Sequence, residues 1–298
     1  MDENLSGYGK YPSVDFTVTS DVILETLSHL NDVLPQTASD LIRQHQVMSD
    51  PANRSFAQHP DNPAEHAPNW HQYGILTHSA RFGEALQDQV PLNVAEWGLA
   101  EPLRTTLAEP IDGIPKAQLL PVVALVHDLG KFTARTVGRD AEGIHTDFTD
   151  HEAHSGEIIQ ARRDLLPNLT HAQVGYIATC AALHFELGKV RRAARAGDGY
   201  TIAFAGSSTF SALAREIMKE HPTYIPEIGL QFIADNLGKS EIVAVGQTDE
   251  AVATERTHLE AELQGRSLSP ILINQALQVP TNLAVARQYL TIWAEETK

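Results

Sequence analysis

Residues 117–128 of this 298-residue chain read AQLLPVVALVHD, an almost wholly apolar segment that ends on a histidine beside an aspartate. Crossing a membrane takes about 18 or more apolar residues, so this run is instead a helix buried on most of its sides. A helix of that kind needs other helices packed around it. Gly130, just beyond, is a good terminator. Burying His127 and Asp128 at the end of such a helix is expensive unless something binds them. A metal ion is the natural compensator, because a carboxylate can share its two oxygens between two cations while the adjacent imidazole binds one. The plain alternative for the dipeptide alone is an exposed helix end where both side chains meet water.

The surrounding sequence supplies the other helices. Residues 20–31 start with a Ser-Asp cap and set Val22, Ile23, Leu27 and Leu30 on one side, and 37–47 repeat the pattern more weakly. Between 50 and 72, four prolines and few aliphatic residues read as a long irregular loop. Further helices are expected over 75–88, 92–108, 150–164, 171–184, 208–220, 227–240, 249–265, 269–278 and 282–296. Thr149-x-x-Glu152 reads as a capping box, which puts His151 in the first turn of its helix. Residues 197–207 read as a turn with a short strand or hairpin. With no run of alternating strands, the fold class expected is all-α. Three regions follow: N-terminal helices and the Pro-rich loop over 1–67, a helical bundle carrying the chemistry over 68–240, and a C-terminal helical extension over 241–298.

The 38 acidic and 22 basic residues leave a net charge of −16, a field that repels long nucleic acid. A small anion is less disfavoured, since a few local cations suffice to bind one phosphate. The single cysteine, Cys180, excludes an internal disulfide, a zinc ribbon and a CxxC redox pair. It reads as a buried core thiol, and its isolation fits the cytoplasm. The first residues carry acidic and polar groups where a signal peptide needs a basic and then an apolar segment. No membrane partner is expected. Fourteen histidines are the informative excess.

Along the chain the chemistry-bearing residues fall in the order His78, His127-Asp128, His151, His184 and Asp235. That order resembles the HD superfamily of metal-dependent phosphohydrolases, whose ligands run His, His-Asp, His, His, Asp along successive helices of a bundle. The stretches Pro68-Asn69-Trp70-His71-Gln72-Tyr73-Gly74, His127-Asp128-Leu129-Gly130-Lys131 and Phe148-Thr149-Asp150-His151-Glu152 look most like the HD region of tRNA nucleotidyltransferases. The resemblance covers roughly 68–240 and implies an HD-domain bundle with additional N- and C-terminal helices. It implies that His78, His127, Asp128 and Asp235 hold one metal and that His151 and His184 hold a second, with Asp128 bridging. Lys131 matches the lysine that faces the substrate anion in relatives, so Asp128 and Lys131 are the expected catalytic pair. His154 competes with His151, because residues three apart share a helix face. His151 is preferred, since Ser155 and Gly156 match the small residue that follows the ligand in the family. The separation of His78 from His127 exceeds that of compact members. No Gly-Ser with paired carboxylates lies upstream, so addition of nucleotides to RNA is not expected.

Imidazoles and carboxylates accept iron, manganese, zinc or nickel, so two transition metals of one of these kinds are the expected cofactor. Phosphoester hydrolysis of a small phosphorylated or nucleotide substrate is the favoured reaction. Two alternatives stay open: an HD-fold diiron oxygenase that cleaves a C–C or C–P bond, and a regulatory or binding module with a vestigial metal site. Lys131, Arg135, Lys189 and Arg191 are the candidate substrate-binding cations; the run 189–195 also reads as a solvated basic face. His59, His66 and His71 read as solvent-exposed loop residues. No P-loop, Rossmann fingerprint or G-x-S-x-G elbow is present.

Overall fold

The computed structural model describes residues 75–297 apart from 135, 141–142, 167–168, 196–198, 267 and 269. The expected helices at 20–31 and 37–47, the Pro-rich loop with His59, His66 and His71, and Arg135 lie outside the described residues. Among the described residues the fold is all-α, with two short antiparallel hairpins. No helix is long and apolar enough to cross a membrane, among the described residues.

The expected buried helix is α4, Lys116–Val126. Around it run α1 (Ile75–Glu84), a π-helical turn at Ala85–Gln89, α2 (Val90–Glu96), α3 (Ala100–Leu107), the short α5 (Lys131–Ala134), α6 (His151–Ala161) and α7 (His171–Leu183). Helices α8 (Val190–Arg195), α9 (Ile202–Ala205), α10 (Ser208–Glu220), α11 (Ile225–Leu237), α12 (Asp249–Gly265) and α13 (Pro270–Glu296) complete the chain. Helix α4 separates two apolar cores. Leu120 and Ala124 face a core built with Phe82, Leu103, Phe232 and Tyr289. Leu119, Val122, Val123 and Val126 face a second core with Ile159, Val174, Ile177 and Cys180. Fully burying one such aliphatic side chain contributes roughly 1.5–3 kcal/mol, so a helix apolar on both sides is held from both. Helix α11 is as deeply enclosed, with every residue from Pro226 to Asn236 buried. Val285, Ala286 and Leu290 of α13 lie in the same core as α1 and α11, while α12 and the first half of α13 form a small cluster of their own.

Several expectations are corrected. The single helix over 92–108 breaks at Gly98, whose φ of 73° reverses the chain. There Leu99 N–H donates to Val94 O (2.9 Å) and Gly98 N–H to Ala95 O (3.0 Å), a glycine-terminated helix end. The two helices at 269–278 and 282–296 are one, α13, which continues through Pro280. Proline removes one backbone donor, but Val279, Pro280, Thr281 and Asn282 are buried, so packing outweighs the lost bond. The short strand or hairpin within 197–207 is instead a helical turn, α9. Thr201 caps it by accepting Phe204 N–H (3.2 Å), and the Asp249 carboxylate accepts Ile202 N–H (2.7 Å) and Ala203 N–H (3.0 Å). The strands that do form lie elsewhere. Pro110–Ile111 (β1) pairs with Ile114–Pro115 (β2), and Thr136–Asp140 (β3) with Gly143–Asp147 (β4), in the register Thr136↔Asp147 to Asp140↔Gly143. The capping box before α6 does not form. Thr149 Oγ1 donates to Asp147 Oδ1 (3.1 Å), and Asp150 is the N-cap at φ 61° without a side-chain cap. His151 still opens the helix.

Candidate metal centre

Four histidines reach one point from four elements, and each is oriented through its Nδ1. His127 follows α4 directly, and its Nδ1 lies 2.8 Å from Ala124 O; His184 follows α7, with Nδ1 2.7 Å from Ala181 O. The last carbonyls of a helix lack intrahelical partners, so an imidazole at the C-cap takes one of them. His151, at the start of α6, places Nδ1 2.8 Å from Phe148 O, and His78 of α1 places its own 3.2 Å from Gly238 O. A carbonyl only accepts, so each Nδ1 carries a proton and donates it, and in the neutral imidazole Nε2 keeps a lone pair turned inward.

Two buried carboxylates meet those lone pairs. Asp128 Oδ2 lies 3.3 Å from His127 Nε2 and 3.8 Å from His78 Nε2. Its Oδ1 lies on the other side, 3.4 Å from His151 Nε2 and 3.9 Å from His184 Nε2. Asp235 Oδ1 stands 3.1 Å from His78 Nε2. With Nδ1 of His78 donating to Gly238 O, the neutral ring sets one acceptor against another here, which is repulsive unless a proton or a metal ion lies between them. Moreover, Asp128 Oδ1 and His127 Nε2 are buried with no hydrogen-bond partner. Leaving a buried polar atom unpaired costs about 1–3 kcal/mol, and coordination to a cation removes the cost. His78, His127 and Asp235 form one set with converging ligand atoms, and His127, Asp128 and His184 form another. The donor set present therefore fits a metal.

The electrostatics agree. Burial lowers the pKa of His78 against the pull of Asp235 and Asp128. Burial, then the neighbouring His127 and His151, lower that of His184 further. Burial alone would raise Asp128, but His127 and Lys131 outweigh it and hold the carboxyl well below the usual range. Asp235 behaves alike, with Lys239 and His78 outweighing its burial. The lowered values of His78 and His184 and of the two carboxyls favour neutral rings and ionised carboxylates, the protonation states a metal requires.

Local packing explains how His151 arrives. A Cβ on Gly130 would overlap the backbone at His151 and Ser155, so only glycine lets the start of α6 close on the turn after Asp128. Ser155 Oγ accepts Gly130 N–H and donates to His151 O, both at 2.8 Å. Gly156 gives the matching close approach to Ala178 and Ala182 of α7. His154 is turned away, its Nδ1 3.2 Å from Thr133 Oγ1.

Of the expected substrate cations, Lys131 is at the site, its Nζ donating to Asp128 Oδ2 at 2.6 Å. Lys189 is on the surface, donating to Glu186 Oε2 at 2.6 Å. Arg191 is engaged in holding helices together: it donates to Gln275 Oε1 (3.2 Å), Asn236 Oδ1 (3.4 Å) and Asn282 Oδ1 (3.0 Å). Cys180 is a buried free thiol that burial and Glu227 push up, which suits a core residue. An open groove of about 910 Å³ between α6, α7 and residues 220–224 contains none of the six candidate ligands. Two residues at the centre were missed in the sequence. Lys239, buried, donates to Asp235 Oδ2 at 2.5 Å; the i, i+4 spacing from Asp235 was the available signal. Glu152, next to His151, joins His151 and His184 as a third set of converging ligand atoms.

The helical protein thus carries a buried cluster of His78, His127, Asp128, His184 and Asp235 that is compatible with an HD-like metal site. No protein-family model matches the chain, and no curated protein matches it.

Proposed function

We propose that the chain is an HD-superfamily metal-dependent phosphohydrolase acting on a small phosphorylated or nucleotide substrate in the cytoplasm. In this reading His78, His127, Asp128 and Asp235 hold one transition metal, and His151 and His184 hold a second with Asp128 between them. The observation that carries it is the division of the Asp128 carboxylate, with Oδ2 toward His78 and His127 and Oδ1 toward His151 and His184. A bound pair of iron, manganese, zinc or nickel ions supplies Lewis acidity and an acidified water for attack on phosphorus. The chain's own residues do the positioning. The four Nδ1 donors to backbone carbonyls keep the imidazoles from rotating, and Asp128 sets the spacing between the two halves. Lys131, beside Asp128, places an ammonium where negative charge develops on phosphoryl oxygens.

Elemental analysis of the purified protein, aerobic and anaerobic, followed by a phosphoester assay on the same samples, tests this reading. About two transition metals with oxygen-independent phosphate release is the expected result. Two irons with oxygen consumption and no phosphate release would replace it with the oxygenase, and absence of metal with a binding module.

A further inference from the structure

Two buried lysines serve the two buried carboxylates of the centre one to one. Lys131 Nζ is 2.6 Å from Asp128 Oδ2, and Lys239 Nζ is 2.5 Å from Asp235 Oδ2. Both arise just after the ligand they touch, three residues on for Lys131 and four for Lys239. Aromatic rings steady both, with Phe148 at 5.9 Å from Lys131 Nζ and Phe185 at 5.4 Å from Lys239 Nζ. Burial first, then the neighbouring Arg191 and Lys131 charges, lower the Lys239 pKa from its ordinary value, against the pull of Asp235.

Without metal, the two ammonium groups balance the two buried carboxylates they touch. Each divalent cation added then leaves uncompensated positive charge in a buried space, which is costly. The two lysines, each already paired with one carboxylate, add to that positive charge, and a bound anion offsets it. A neutral polyol relieves none of this, and a singly charged diester relieves less than a doubly charged phosphate.

We infer that Lys239 pairs with Lys131 to receive the phosphoryl dianion of a phosphomonoester, and that this pair sets the site's preference for monoesters over diesters and neutral substrates. The inference rests on the metal-centre reading above and names its substrate class. Lys239 is the specificity-determining residue, because it places a second cation on the Asp235 side of the centre.

The test uses the full-length, metal-loaded protein with inorganic phosphate as probe and dimethyl phosphate as the monoanionic comparison, by isothermal titration with metal content measured in parallel. Wild-type protein is expected to bind inorganic phosphate at least about tenfold more tightly than dimethyl phosphate, as a charge-assisted contact predicts. Lys239→Gln should keep its metals and lose about tenfold in phosphate affinity, while Lys239→Arg stays within about threefold of wild type. Lys239→Met, which retains an unbranched stem against Phe185, repeats the measurement in a second background. Unchanged phosphate affinity in metal-loaded Lys239→Gln or Lys239→Met would overturn the assignment and leave the metal centre standing. So would loss of metal in both, since Lys239 would then only support Asp235. Wild-type protein without metal would overturn both readings together.

Discussion

At the scale of single residues, Asp128 is the side chain on which both halves of the centre depend. If the chain is the phosphohydrolase proposed above, Asp128→Ala should abolish phosphoester hydrolysis and sharply lower bound metal; full activity at equal metal content would sink the assignment. The two histidines of α6 separate cleanly. His151→Ala should reduce the metal content from about two per chain toward one, whereas His154→Ala, facing Thr133, should leave it unchanged. Burial of His78 and His184 also sets a pH dependence. Both imidazoles are held below the usual 6.5, so in the unfolded chain they take up protons at a pH where the folded chain does not. The unfolded state then binds more protons, and folding stability of the metal-free protein is present above about pH 6.5 and lost as pH falls below it. Thermal unfolding of metal-free protein between about pH 8 and pH 5.5 should show a falling midpoint, with a flatter curve for His184→Gln.

At the scale of elements, what matters is how closely one helix approaches another. Gly130→Ala places a methyl group against the backbone of His151 and Ser155, so the start of α6 must shift. The expected outcome is destabilisation by roughly 1–3 kcal/mol, seen in urea unfolding, with loss of the metal that the proposed function assigns to His151 and His184. By contrast, Asp249→Ala should act only on the fold. It strands two N–H groups at the start of α9, costing about 1–2 kcal/mol while metal content stays the same. Helix α9 shows why its own sequence was misleading. Residues 197–207 read as a turn and strand, and the carboxylate that makes the turn helical comes from the first residue of α12. The undetected β3–β4 hairpin and the capping box displaced by Asp147 have the same origin, short segments whose local signals were close in strength.

At the scale of the molecule, α13 closes the bundle through a buried polar junction. Asn282 accepts from Arg191 (3.0 Å) and Tyr200 (2.8 Å) and donates to Asn236 (2.7 Å), the residue next to Asp235. Arg191→Ala should therefore lower global stability by about 2–4 kcal/mol in denaturant unfolding, because it removes a charged donor and its three hydrogen bonds from the junction. A change confined to substrate affinity, with stability intact, would instead make Arg191 a substrate residue. The amino-acid sequence by itself determined the all-α class, the buried character of α4, and the order His78, His127-Asp128, His151, His184, Asp235. Those features are written in composition, in runs of apolar residues and in spacing, all of which are local. Only the tertiary structure decided that the Asp128 oxygens point to opposite histidine pairs, that His151 rather than His154 faces them, and that Lys239 joins the centre. It also engaged Arg191 in the junction with α13 and placed Lys189 on the surface. These outcomes depend on which helix faces meet, and contacts between residues such as Gly130 and His151, or Arg191 and Asn282, are made only once the bundle has packed.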